Sequence, residues 1–189
     1  EAQRPGYFFA NTYKLETRPK YEMEALTIHE AVPGHHLQIS LAQTSGDLPM
    51  IRKTTFYSSY GEGWALYAEQ LADELGAYHG IERAGYLQSY LFRASRLVVD
   101  TGIHAKRWPR EQAITYMRDK TGMGEKEVKS EIERYIVNPR QACAYKVGML
   151  KIQELRSRAQ QELGDKFDQR EFHDAVLKNG ALPLEILEE

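Results

Sequence analysis

Three of the six histidines in the chain fall within one eight-residue segment, HEAVPGHH at residues 29–36. Imidazole is the commonest protein ligand of zinc, and a carboxylate beside a zinc-bound water can act as a general base. Glu30 directly follows His29, the first histidine of the segment. These residue types predict a metal centre with His29 as one ligand and Glu30 as the base that activates water.

The spacing of the histidines departs from the H-E-x-x-H pattern, in which two histidines share one helix face at i and i+4. Here position i+4 is Pro33, and the next candidates are His35 and His36. On a straight helix they would lie about 9 and about 10.5 Å along the axis from His29, too far apart for one ion. Because Pro33 breaks the helix and Gly34 permits unusual backbone angles, we predict a bend that returns one imidazole to His29. The sequence does not decide whether that imidazole belongs to His35 or to His36. The alternative to a bend is a helix that ends at Val32, with exposed histidines beyond it.

A zinc site of this kind needs a third protein ligand, with the fourth position left for water. The segment GEGWALYAE at residues 61–69 places Glu62 and Glu69 on one face of a predicted helix. Glu62 is expected to open that helix, where an acid stabilised by the helix dipole is the alternative reading. Glu69 forms E-x-x-x-D with Asp73, a pattern in which the acid binds metal and the aspartate orients a histidine. Glu69 is therefore a rival ligand.

Composition and charge restrict the class of protein. Hydrophobic content is 42%, charged content is 28% and the formal net charge is −2, values typical of a globular protein. Basic and acidic residues are interspersed, which gives no support for nucleic-acid binding, and no apolar run approaches the roughly 20 residues that cross a bilayer. The single Cys143 excludes an internal disulfide. Since the sequence begins at Glu1 without methionine, we expect a fragment of a longer protein, and the compartment stays open between periplasm or envelope and cytoplasm.

Helical periodicity dominates the chain, and strand signals are nearly absent. We therefore predict an all-α fold and one helical domain over residues 1–189. The expected helices are 21–32, a short one after Pro33, 62–76, 81–104, 109–120, 124–136, 138–162 and 167–178, with residues 50–61 as loop or short helix. Residues 1–20 are predicted to be an irregular lead-in, in which Tyr7-Phe8-Phe9 forms either a short edge strand or an apolar segment on the core.

Four segments of the chain resemble a bacterial family catalogued as domain of unknown function 885. They are residues 29–38, EGWALYAE at 62–69, VDTGIH at 99–104 and NPRQACAYKVG at 138–148. The resemblance runs over nearly the whole chain, which would be the C-terminal part of a longer family member. That family in turn resembles the gluzincin metallopeptidases, and thimet oligopeptidase and the thermostable carboxypeptidases look most similar. The resemblance implies a largely helical fold around a deep cleft.

The gluzincin resemblance implies a role for each candidate residue. Gluzincins bind zinc through two histidines and a downstream glutamate, which implies His29, His35 and Glu62 as ligands of Zn²⁺, with His36 as the alternative to His35. The same resemblance implies that Glu69 contacts one of the zinc ligands or the substrate, rather than the ion itself.

Late in the gluzincin chain, a tyrosine, sometimes with a histidine, stabilises the oxyanion. The resemblance therefore implies that Tyr145, and with it His104, stabilises the oxyanion in this chain. The alternative for Tyr145 is an aromatic packed in the core. Asp100 and His104 lie at i and i+4 and could orient each other.

The resulting hypothesis is zinc-dependent hydrolysis of a peptide substrate. Glu30 would take a proton from water and pass it to the leaving amine. We expect no nucleic-acid partner and no membrane-spanning segment, and we expect the N-terminal portion of the same protein to complete the cleft. The alternatives are a non-catalytic metal- or peptide-binding helical module, a purely structural helical domain, and a zinc hydrolase of an ester or non-peptide amide.

Overall fold

A computed structural model describes residues 5–189, with the side chain of Thr17 excepted. Residues 1–4 of the predicted lead-in lie outside the described residues. Within residues 5–189 there are helices but no strand, so the predicted all-α fold is confirmed. The helices are α1 Met23–Glu30, α2 His35–Thr44, α3 Met50–Thr54, α4 Ser58–Glu74, α5 Ile81–Lys106, α6 Arg110–Thr121, α7 Glu125–Val137, α8 Gln141–Leu163, α9 Gln169–Leu177 and α10 Leu184–Glu188. Short 3-10 turns lie at Leu15–Thr17, Lys20–Glu22 and Gly164–Lys166.

Helix α4 is the most deeply buried helix, and α1, α2, α5 and α8 all pack on it. Its start corrects the prediction, because α4 begins at Ser58 and Glu62 lies in its second turn rather than at its first residue. Serine and glycine are poor helix formers, but Tyr60 is fully buried and its hydroxyl donates to the carbonyl of Val176 at 2.9 Å. Tertiary packing at this residue extends the helix by one turn.

Helices α4 and α8 cross with their backbones in contact at Gly63 and Gly148. A Cβ atom at Gly148 would lie 1.7 Å from the carbonyl oxygen of Ser59, and one at Gly63 would lie 2.5 Å from the backbone of Gly148. Only residues without a side chain allow this approach. The crossing therefore fixes the position of Glu62, which is next to Gly63 on α4.

Substituting Gly148→Ala is expected to lower the free energy of unfolding by about 1–3 kcal/mol, because overpacking moves the backbone of α4 or α8. Urea unfolding measures the change. The control is Gly46→Ala, since a Cβ at Gly46 meets nothing within 4 Å, and that change should stay within about 0.5 kcal/mol. Equal stability of the two variants would contradict the contact at the crossing.

A second core joins α5, α6 and α7. Its fully buried residues are Val99, Ala113, Met117, Val128, Ile132, Tyr135 and, from the start of α8, Ala142. Helix α5 also packs on α1 and α8. Helix α5 therefore joins this second core to the helices around α4. It also places Ser89, Arg93 and Arg96 near Glu69 and Tyr145.

The predicted bend after His29 is present. Helix α1 ends at Glu30, two residues before the predicted end, and α2 begins at His35; the Val32–Pro33 peptide between them is cis. A Cβ atom at Gly34 would lie 1.9 Å from the carbonyl oxygen of His29, so glycine permits the tight return of the chain. The indole of Trp64 on α4 donates to the carbonyl of Pro33 at 2.8 Å and holds the bend against the core.

Neither alternative for Tyr7-Phe8-Phe9 holds. The segment has no regular secondary structure, and its side chains are 67%, 52% and 89% exposed, so they do not lie on the core. Gly6 instead brings the segment against the ring of His36. The lead-in thus forms one wall of a groove beside α1 and α2. Among residues 5–189, helices with the length and apolar character to cross a membrane are absent.

Candidate metal centre

Three side chains from three helices converge at the bend. His29 lies in the last turn of α1, His35 begins α2 and Glu62 projects from α4. Their nearest ligand atoms all lie within 4.8 Å of one another. The Oε2 atom of Glu62 is 3.5 Å from Nε2 of His29 and 3.1 Å from Nε2 of His35. The bend therefore brings together imidazoles that are six residues apart in the sequence.

This donor set suits zinc in type and in spacing. Zinc–nitrogen and zinc–oxygen bonds of roughly 2.0–2.1 Å in a tetrahedron place neighbouring ligand atoms about 3.3 Å apart. The two separations from Glu62, 3.5 and 3.1 Å, lie on either side of that value, and the ligand atoms of His29 and His35 lie within 4.8 Å of each other. Two imidazoles and one carboxylate also leave a fourth position free, which is the arrangement of catalytic rather than structural zinc sites.

The carboxylate of Glu62 is ionised at neutral pH. Burial raises its pKa, but hydrogen bonds from His29 and His35 outweigh burial and lower the pKa to about 2. For His29, burial lowers the pKa, and its contacts with Glu62 and Glu69 outweigh that effect and raise it. The part-buried, ionised carboxylate of Glu62 is therefore suited to a cation held between these side chains.

Glu69 lies behind His29 and not among the three converging atoms. Its Oε1 atom is 2.7 Å from Nδ1 of His29, and its Oε2 atom accepts a hydrogen bond from the hydroxyl of Ser89 at 2.6 Å. With Nδ1 engaged, the other ring nitrogen of His29 faces the cluster, as is usual for a metal-binding histidine held by a carboxylate. Asp73 pairs with Arg83 at 2.7 Å and, within the described part of the chain, bonds to no histidine, so the predicted E-x-x-x-D arrangement is wrong.

Gln141 on α8 supports the other side of Glu62. Its amide nitrogen lies 3.4 Å from Oε1 of Glu62, and its amide oxygen accepts from Arg134 at 2.9 Å. Because a guanidinium can only donate, Arg134 orients the amide so that its nitrogen faces Glu62. Sequence reasoning missed both residues, and a local signal for them is lacking, since Gln141 is 79 positions from Glu62.

Glu30 lies at the exposed end of α1, directly after His29. It lines a groove of about 600 Å³ together with His35, His36, Ile39 and the lead-in residues 6–9. The ring of His36 faces Gly6 across this groove, so the structure brings His35, and not His36, to His29. Glu30 can therefore reach a molecule in the groove without taking part in the cluster.

Tyr145 on α8 stacks on His29. The two ring centroids are 6.0 Å apart and the ring planes differ by 22°. The guanidinium of Arg96 lies 4.9 Å from the centre of the tyrosine ring and that of Arg93 lies 5.7 Å from it. Tyr145 is half-buried, so the structure places a phenol beside the cluster with two cations behind it.

His104 is not brought to the cluster. Its Nε2 atom bonds to the carbonyl of Tyr135 at 3.1 Å, toward α7. Asp100 accepts from the backbone N–H of Arg140 at 3.1 Å, so the predicted pairing of Asp100 with His104 is wrong. The segment VDTGIH thus attaches α5 to α7 and to the start of α8, away from the three converging side chains.

Comparisons with known proteins agree with the family resemblance. The model of the family described as "Bacterial protein of unknown function (DUF885)" matches residues 1–189. The crystal structure of a "putative lipoprotein" from Colwellia psychrerythraea is 54% identical, with a TM-score of 0.91 over 94% of this chain. A "putative lipoprotein of unknown function" from Shewanella oneidensis is 26% identical, with a TM-score of 0.84 over 92% of this chain.

The chain spans about a third of the length of these two structures, 31% of the first and 32% of the second. Both structures therefore contain a larger part that this chain does not match. No curated protein matches the chain.

Proposed function

We propose that this chain, which belongs to the bacterial DUF885 family, is the metal-binding part of a zinc-dependent peptide hydrolase. The observation that carries the proposal is the convergence of His29, His35 and Glu62, in which the Glu62 carboxylate lies at separations from both imidazoles that fit tetrahedral zinc. A helix end or a core packing role would not require two imidazoles and an ionised carboxylate to share one point.

Each nearby residue has a distinct part in the proposed reaction. When bound, zinc supplies an activated water near neutral pH and polarises the scissile carbonyl. Glu30 takes the proton of the attacking water and returns it to the leaving amine. Glu69 keeps His29 in the tautomer that presents Nε2, and Tyr145 donates a hydrogen bond to the oxyanion.

The groove supports a peptide as substrate. It is about 600 Å³ in volume and carries exposed aromatic side chains along one wall and Glu30 and His35 along the other. The resemblance to gluzincin peptidases points to the same substrate class. Because the chain spans about a third of its two structural relatives, we infer that the remaining part of the longer protein closes the groove. The description of both relatives as lipoproteins favours a location in the cell envelope.

Metal analysis of the purified chain tests the proposal. We expect about one zinc per chain, bound at the tetrahedral site. Removing zinc with a chelator should abolish hydrolysis of a peptide library, and adding zinc should restore it. His35→Ala should lower the zinc content, whereas the control His79→Ala, at an exposed loop position, should not.

The outcomes separate the rival functions. Zinc without peptide cleavage, in the full-length protein as well as in this chain, would favour a non-catalytic binding module. Zinc with cleavage of an ester or non-peptide amide alone would change the substrate class. A chain that binds no metal, and whose stability a chelator does not alter, would be a structural helical domain.

A further inference from the structure

Helix α5 carries an uncharged, mostly apolar stripe on its outward face. The stripe consists of residues spaced alternately three and four apart, Ala84, Leu87, Leu91, Ala94, Val98, Thr101 and Ala105. At about 100° per residue, this spacing confines the seven side chains to about 100° of the helix surface. All of them are exposed except Ala94, which is half-buried, and Leu87 is 51% exposed. We infer that the stripe is the docking surface for a helix from the part of the longer protein that this chain does not contain.

The charged residues of α5 lie on the opposite, inward face. Between residues 84 and 105, all of which the structure describes, they are Arg93, Arg96 and Asp100. Arg96 forms an ion pair with α7 at 2.8 Å, and Asp100 accepts from the backbone before α8 at 3.1 Å. The guanidinium of Arg93 lies 5.7 Å from the ring centre of Tyr145 on α8. A surface helix has the reverse pattern, with charges toward water, so α5 has the character of a helix that is covered on both sides.

The neighbouring helices α6 and α7 have ordinary outward faces. Both helices pack on α5. Their exposed positions include the charged residues Glu111, Asp119 and Lys120 on α6 and Glu125, Lys126 and Glu133 on α7. The uncharged face therefore distinguishes α5 from the helices beside it. None of the seven stripe residues lines the groove of about 600 Å³ at the metal centre, so a peptide in that groove would leave the stripe uncovered.

The spacing of the stripe suits an α-helix as the partner. Apolar residues at alternating intervals of three and four occupy the a and d positions of a heptad, along which two helices pack at an angle of about 20°. From Ala84 to Ala105 the stripe is about 32 Å long, at about 1.5 Å per residue. The partner is therefore expected to present an apolar face of about six turns.

The area of the stripe favours a segment of the same polypeptide over a second copy of the chain. A strip about 32 Å long and about 10 Å wide, the width of a helix, covers about 300 Å² on each side. Interfaces between domains of one chain begin at about 600 Å² in total, whereas stable complexes of separate chains bury about 800 Å² per partner. This chain covers 31% and 32% of its two structural relatives at TM-scores of 0.91 and 0.84, so in both relatives the same fold is joined to a larger part.

Cysteine labelling measures whether the stripe is covered. Leu91→Cys and Val98→Cys, each in a Cys143→Ala background, are reacted with a maleimide in this chain and in the full-length protein, and circular dichroism confirms that each variant is folded. We expect both cysteines to react about 100-fold or more slowly in the full-length protein, because labelling then requires local opening. The control is Lys126→Cys on the charged, exposed face of α7, which should react at similar rates in the two proteins.

A charge in the stripe should release the docked helix. In the full-length protein, Leu91→Glu is expected to speed the labelling of Val98→Cys by about tenfold or more, since a buried carboxylate without a partner disfavours the docked state. In this chain alone, the same substitution should leave the labelling rate unchanged.

Two results would overturn the inference. One is labelling of both cysteines in the full-length protein as fast as in this chain. The other is slow labelling in this chain alone that becomes faster on dilution, which would make a second copy the occupant. Protection in the full-length protein that does not depend on concentration supports the inference. Because labelling requires neither zinc nor hydrolysis, this inference and the proposed function can each fail without the other.

Discussion

Substituting Glu30→Gln is expected to slow zinc-dependent peptide hydrolysis by about 10²–10⁴-fold, the usual contribution of a general base. The amide keeps the size of the side chain but cannot accept the proton of the attacking water. Zinc affinity should not change, because Glu30 lies on the groove side of α1 and outside the converging atoms of His29, His35 and Glu62. Hydrolysis rates and zinc content measured on the same preparation separate the two effects.

The control for this change is Glu24→Gln. Glu24 is also an exposed glutamate of α1, six residues before Glu30, so it tests for a general effect of charge on this helix. Hydrolysis that survives Glu30→Gln would assign the base to another group. Loss of zinc in that variant would instead indicate that Glu30 is itself a ligand.

The sequence predicted the helices well because their apolar faces repeat at the helical period. It placed the start of α4 one turn late, since the burial of Tyr60 against Val176 is a long-range contact that no local pattern reveals. The same limit applies to Gln141 and Arg134, which support Glu62 from a helix far along the chain. Local periodicity identifies elements, whereas the partners of a site depend on how those elements pack.

Residue types alone do not determine whether His35 or His36 approaches His29. Pro33 and Gly34 predict a bend but not its direction. The backbone angles of Ala31 (φ −99°, ψ −108°) and Gly34 (φ −74°, ψ −133°) are not helical, and they decide which imidazole returns to His29. The bond from Trp64 to the carbonyl of Pro33 holds those angles, so a residue of α4 selects the histidine of α2.

The residues that hold the metal-binding side chains in place lie on α5 as well as on α4. Ser89 bonds to Glu69, and Arg93 donates to the hydroxyl of Ser89 at 2.7 Å. Arg93 and Arg96 also flank the ring of Tyr145. One face of α5 thus holds both the carboxylate behind His29 and the phenol in front of it. A displacement of α5 would change the site through two residues at once.

Removing the hydroxyl of Tyr145 should have the second large effect. Tyr145→Phe is expected to lower kcat by about 10²–10³-fold, equivalent to about 2.7–4 kcal/mol, if the phenol donates to the developing oxyanion. The ring itself would still stack on His29, so zinc content and the free energy of unfolding should change little. Steady-state kinetics on a fluorogenic peptide, with urea unfolding alongside, measure both quantities.

Tyr116→Phe provides the comparison, because Tyr116 on α6 packs against Trp108 in the part of the fold built from α5, α6 and α7. Loss of a phenol there should leave kcat unchanged. If Tyr145→Phe also keeps full activity, Tyr145 is a packing residue, and the oxyanion must be held by another donor. The nearby guanidinium groups of Arg93 and Arg96 are then the first candidates, since they lie on the ring of Tyr145 and carry a permanent positive charge.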